Sequence, residues 1–131
     1  LALLGAEVTV LARRAEALQA VVEALPRPTG QRHAAVVADV AQPAALGQRV
    51  SALAGERPVQ ILVNNTAGPP GGAAHSADAA AFVAAFERHL LANHALVHAV
   101  LPGMRAAGWG RVVNVISTSV REPIPGLGVS N

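Results

Sequence analysis

Five histidines and a thin scatter of polar residues carry whatever chemistry this chain can do. His94 and His98 stand four residues apart in a helical pattern, a spacing that can hold a metal ion, with Glu87 and His89 nearby. No His-Glu-x-x-His pattern is present and there is no Cys. Thiolate chemistry and Cys-type zinc sites are therefore excluded. The alanine-rich surroundings of the two histidines point to packing or a helix–helix interface, and no metal site is expected. His89 carries an imidazole, the side chain most often used for acid–base work. Other polar residues stand where local structure alone would use them. Asp39 can end a strand and cap the next helix. Asn64, Asn65 and Gly68 can make a turn. Ser117 can satisfy backbone groups at a strand end. Arg13 and Arg14 can be solvated at a helix start, where positive charge mildly opposes the helix dipole.

The elements that must position these residues follow from apolar periodicity. The run at 7–12, Glu-Val-Thr-Val-Leu-Ala, reads as a strand after a Gly turn. Residues 13–25 place Leu18, Val21, Val22 and Leu25 at helical spacing, and Pro26, Pro28 and Gly30 stop that helix. Residues 33–40 read as a second strand. Residues 43–54 read as a second helix, with Pro43 near its start and Leu46, Val50 and Leu53 on one face. The near-continuous apolar run at 59–63 predicts a strand buried on both faces, and the loop-forming cluster from Asn64 to Gly72 follows it. Residues 78–107 give the longest helical pattern, with Phe82, Phe86, Leu90, Val97 and Leu101 at three- to four-residue steps. That pattern drifts between Leu90 and Val97, and Pro102 and Gly103 are expected to kink or end it. A fourth strand is read at 110–116, then a Pro- and Gly-rich loop from Ser117 to Ser130. The order β-α-β-α-β-α-β implies an α/β fold with parallel pairing and right-handed crossovers. Ligands of such sheets bind beyond the carboxyl ends of the strands.

Composition narrows the class. At 131 residues, 52% hydrophobic and 14% charged, the chain suits one domain, residues 1–131, with a packed core rather than disorder. All ten basic residues are Arg, and there is no Lys, Tyr or Cys, so a formal charge of +2 accompanies a pI near 11.0. The arginines are scattered, so no nucleic-acid partner is expected. The apolar runs are strand-sized and no basic leader precedes them, so neither a membrane span nor a secretory signal is expected, and a cytoplasmic location is.

The segments Leu62-Val63-Asn64-Asn65-Thr66-Ala67-Gly68, Ala38-Asp39-Val40 and Gly110-Arg111-Val112-Val113-Asn114-Val115-Ile116-Ser117 occur in an order and at a spacing that resemble the short-chain dehydrogenase/reductases. The resemblance covers essentially the whole chain. It implies an incomplete Rossmann-like, doubly wound parallel sheet and hydride transfer between NADP(H) and a small-molecule carbonyl or alcohol. A homo-oligomer is expected at full length. It also implies that these residues lack both the Gly-rich phosphate-binding start and the Tyr/Lys region, leaving a fragment that is inactive by itself.

By the same resemblance, Asp39 and Val40 edge the adenine, Asn65 lies against the cofactor ribose, and Ala67 is a further cofactor-binding residue. Asn64 ties neighbouring strands together, and Ser117 holds the substrate oxygen. Where NAD-preferring members carry an acid, this chain has Ala12 followed by Arg13 and Arg14. A guanidinium can pair with a 2′-phosphate, so NADP is expected over NAD. The chain also departs from the family. Ser130 stands thirteen residues beyond Ser117, where the family has Tyr, and no Tyr occurs anywhere. His89 falls where the family has Asn, with Asn93 one turn later on the same face. Thr66 and Ala67 replace Ala and Gly, which narrows the backbone's freedom unless Gly68 takes over that role. A catalytically silent nucleotide-binding or assembly protein of the same fold is therefore the alternative reading.

Overall fold

In the computed structural model, which describes residues 1–131, the chain divides into two units, residues 1–39 and 40–131. The first unit holds strand β1 (Thr9–Ala12), helix α1 (Ala15–Ala24) and strand β2 (Ala34–Val37). β1 and β2 pair in parallel, with Thr9 opposite Ala34 and Ala12 opposite Val37. Helix α1 packs on both strands and buries Leu18 and Val22. It stops at Leu25, because the Pro that follows pushes that residue out of helical geometry. A 3₁₀ turn at Ala2–Leu4 precedes the strands and closes at Gly5, whose φ of 88° only glycine adopts readily.

Two polar side chains tie this unit together. Gln31, only 6% exposed, donates from Nε2 to the Ala2 carbonyl at 2.8 Å and accepts from the Thr29 N–H at 2.9 Å. His33 accepts the Val8 N–H at Nδ1, 3.1 Å away. Its Nε2 lies 3.1 Å from the Pro26 carbonyl, so the proton of the neutral ring sits on Nε2.

The second unit holds α2 (Pro43–Glu56), β3 (Ile61–Asn64), α3 (Ala79–Phe86), α4 (Ala92–Ala106) and β4 (Arg111–Asn114). Its core is the α2–α4 contact. Leu46 and Val100 are fully buried there, joined by Val50, Ala92, Leu96 and Met104. Gly47 permits the close approach, since a Cβ on it would lie 3.3 Å from the Ala95 Cβ. β3 and β4 pair in parallel, Ile61 opposite Arg111 and Asn64 opposite Asn114. No helix is long and apolar enough to cross a membrane.

The helix expected over 78–107 is not continuous. Asp78 caps it, accepting the Ala81 N–H at 2.8 Å, and α3 runs to Phe86. A π-helical turn at Glu87–Leu91 then joins α3 to α4. One extra residue in a turn rotates all that follows, which accounts for the drift between Leu90 and Val97. Pro102 does not end the helix, which continues to Ala106. The strand expected to be buried on both faces is not. Leu62 is half-buried and Asn64 buried, while Ile61 and Val63 on the opposite face are exposed, as is every residue of β4. α4 packs against β3, and the other face of this two-stranded sheet keeps its apolar side chains in the open.

Candidate functional site

In the first unit, Ala12 ends β1 and Arg14 opens α1 as its N-cap without a side-chain cap bond. Arg13 and Arg14 are both exposed. With Ala12, Ala17, Leu18 and Val21 they line an open hollow of about 510 Å³. The lining holds two guanidiniums and no carboxylate, a donor set suited to a phosphate group. Asp39, the last residue of this unit, and Val40, the first of the second, follow β2 in partly buried positions. Gln42 stands at the N-cap position of α2.

In the second unit, the polar residues gather at the carboxyl ends of β3 and β4. Asn64 is 3% exposed and donates from Nδ2 to Asn114 Oδ1 across the ladder at 2.8 Å. This is the strand-tying role that the resemblance implied. Asn65 and Ala67 are exposed in the loop beyond β3, and Thr66 between them is partly buried. No residue other than glycine has a positive φ, and Gly68 is not among the glycines that do. Replacing Gly by Ala at 67 therefore strains nothing, and Gly68 takes over no left-handed position.

Thr66 Oγ1 lies 2.7 Å from His89 Nδ1. The sequence reading did not foresee this pair, because 23 residues separate its members; the Thr standing where the family has Ala was the only signal. With Nδ1 engaged, His89 keeps Nε2 for any further partner. Asn93 Oδ1, in the first turn of α4, is buried with no protein group in hydrogen-bond reach. His94 and His98 stack with ring centroids 4.5 Å apart.

Ser117 is exposed just past β4 and accepts the Ser119 N–H at 3.1 Å. It thereby caps a 3₁₀ turn at Thr118–Val120, the bland role for a Ser at a strand end. A hydroxyl that accepts one bond still has its own proton to donate, so the cap leaves Ser117 chemically available. Ser119, by contrast, is buried. Ser130 sits beside the β3 loop: a Cβ added to Gly68 would lie 3.7 Å from Ser130 Oγ. The two Gly-rich loops meet in the same region. Gly72 donates to the Gly126 carbonyl at 2.6 Å and accepts from the Gly128 N–H at 2.9 Å.

Known proteins share this fold. The sequence matches the short chain dehydrogenase family over residues 1–129. No curated protein matches it. A metagenomic short-chain oxidoreductase in complex with NADP is 27% identical, with a TM-score of 0.85 over 98% of this chain and 58% of its own. A short-chain dehydrogenase from Streptomyces avermitilis is 28% identical, with a TM-score of 0.84 over 98% of this chain and 46% of its own. L-sorbose reductase from Gluconobacter frateurii, complexed with NADPH and L-sorbose, is 25% identical, with a TM-score of 0.89 over 98% and 49%. The chain thus spans about half the length of these relatives. Its fold is α/β with parallel strands, Rossmann-like as theirs is. From the motifs, the topology and these matches together, the chain belongs to the short chain dehydrogenase family.

Proposed function

We propose that these residues form a partial NAD(P)-binding Rossmann-like domain of an oxidoreductase that moves hydride between NADP(H) and a carbonyl or alcohol. The observation that carries the cofactor choice is the Arg13–Arg14 pair on a carboxylate-free hollow at the end of β1. Solved relatives carry NADP or NADPH. Arg13 would hold the 2′-phosphate, Asp39 and Val40 the adenine, and Asn65 the ribose, with Ala67 a further cofactor-binding residue. The cofactor, when bound, supplies the hydride chemistry; the protein supplies position. Ser117 would donate its free proton to the substrate oxygen and hold it. Ser130, His89 and Asn93 are the further candidate catalytic residues, and of these only His89 carries a side chain of the type that serves as a general acid or base. A homo-oligomer and a cytoplasmic setting belong to the same reading.

The test is the full natural chain on a broad carbonyl panel, following the near-ultraviolet absorbance of reduced nicotinamide. Turnover that falls about a hundredfold or more in Ser117→Ala supports the assignment. NADPH binding without turnover on any substrate favours the second reading, a catalytically silent nucleotide-binding protein. That reading draws on Ser130 in the place of the family's Tyr and on a chain with no Tyr at all.

A further inference from the structure

The loop from Asn65 to Gly71 carries no regular secondary structure, and its backbone N–H groups donate to no other backbone group. It nonetheless has to present Asn65 and Ala67 at a defined position if it is to hold a nucleotide. The contact that anchors it is the 2.7 Å hydrogen bond between Thr66 Oγ1 and His89 Nδ1. His89 lies inside the π-helical turn Glu87–Leu91, a geometry that inserts one residue and turns side chains off the regular helical face. We propose that His89 is a positioning residue, which uses the π turn to fix the β3 loop through Thr66 and so sets the affinity for nucleotide. This inference rests on the nucleotide-binding reading of that loop.

The chemistry suits an anchor. A threonine hydroxyl donates to a bare Nδ1 and accepts from a protonated one, so the bond persists in either state of the ring. The partners come from different elements, one a loop and the other a helix continuous with the buried α4. The loop is thus tied to the helix that supplies much of the unit's buried core. Threonine has only one heavy-atom rotor, stiff because it is β-branched, so holding its oxygen also holds the backbone of residues 65–67.

The experiment compares the full natural chain with His89→Ala, Thr66→Val, Thr66→Ser and the His89→Ala/Thr66→Val double variant. Two quantities are read: cleavage of the loop by a nonspecific protease without nucleotide, and the Kd for NADPH by calorimetry. Loss of one such bond corresponds to a factor of about five. Both single disruptions are expected to speed cleavage after residue 64 and to weaken NADPH by about that factor, with cleavage in Ala92–Ala106 unchanged. The double variant is expected to match the singles, and Thr66→Ser to behave as wild type. Unchanged loop cleavage, unchanged NADPH affinity in His89→Ala, or additive losses in the double variant would each overturn the inference. A wild-type chain that binds neither NADPH nor NADH refutes the nucleotide reading itself and this inference with it, a result distinct from variants that bind as tightly as wild type.

Discussion

Asn64 and Asn114 face each other at the ends of adjacent parallel strands, joined by one side-chain hydrogen bond of 2.8 Å. The pair is lopsided: Asn64 is buried and its Oδ1 has no partner, whereas Asn114 is exposed. Asn114→Ala would leave the whole buried amide of Asn64 unpaired. It is expected to lower stability by about 1–3 kcal/mol, whereas replacing both residues by Leu should cost much less. Urea unfolding of the two variants checks this, and a double variant as damaged as the single one would contradict it.

The guanidinium of Arg13 should matter to one nicotinamide cofactor and not the other. A hydrogen bond to a charged group is worth about 1.5–3 kcal/mol. Arg13→Ala is therefore expected to weaken NADPH by roughly tenfold to a hundredfold while leaving NADH unchanged. Calorimetry with both cofactors reads the contrast. Equal losses for the two would remove the 2′-phosphate from the account.

The bridge between the two Gly-rich loops makes a paired prediction. A Cβ on Gly128 would run into the backbone nitrogen of Ala74, while a Cβ on Gly72 meets nothing within 4 Å. Gly128→Ala is expected to cost about 1–3 kcal/mol through backbone displacement, and Gly72→Ala less than about 1 kcal/mol. Thermal unfolding of both variants decides the matter, and the reverse order would show the loops free to part.

The α2–α4 contact carries the core of the second unit. Leu46 is completely buried, so Leu46→Ala is expected to cost about 2–5 kcal/mol from lost transfer energy and the cavity left behind. Chemical denaturation gives the value directly. A loss under about 1 kcal/mol would mean that the helices close over the gap.

Much of the architecture was legible in the residues. Each of the four strands and the first two helices lies within or close to its predicted bounds, because apolar spacing reports which face is buried. What escaped reading had physical reasons. The π turn at Glu87–Leu91 appears in sequence only as a phase slip, which a helix template absorbs without naming its cause. The apolar run ending in Val63 reports a capacity for burial on two faces, and burial itself depends on what the neighbouring elements cover. At the site, Ser117 and Asn64 were singled out through motifs; Asn64 has the cross-strand role those motifs implied, and Ser117 caps a 3₁₀ turn. The Thr66–His89 bond was invisible because it exists only once the loop and the helix have met.

The β3–β4 ladder has a further consequence for anyone handling this protein. Val112 and Val113 on β4, and Val115 and Ile116 just past it, are each 40% or more exposed in these residues, and the stretch is uncharged and, apart from the polar Asn114, β-branched. Such a run invites strand addition from another molecule, the first step toward insoluble fibrous assemblies. The solubility of these residues therefore turns on whatever is laid over that strand, and expression trials should be sensitive to a charged substitution at Val113.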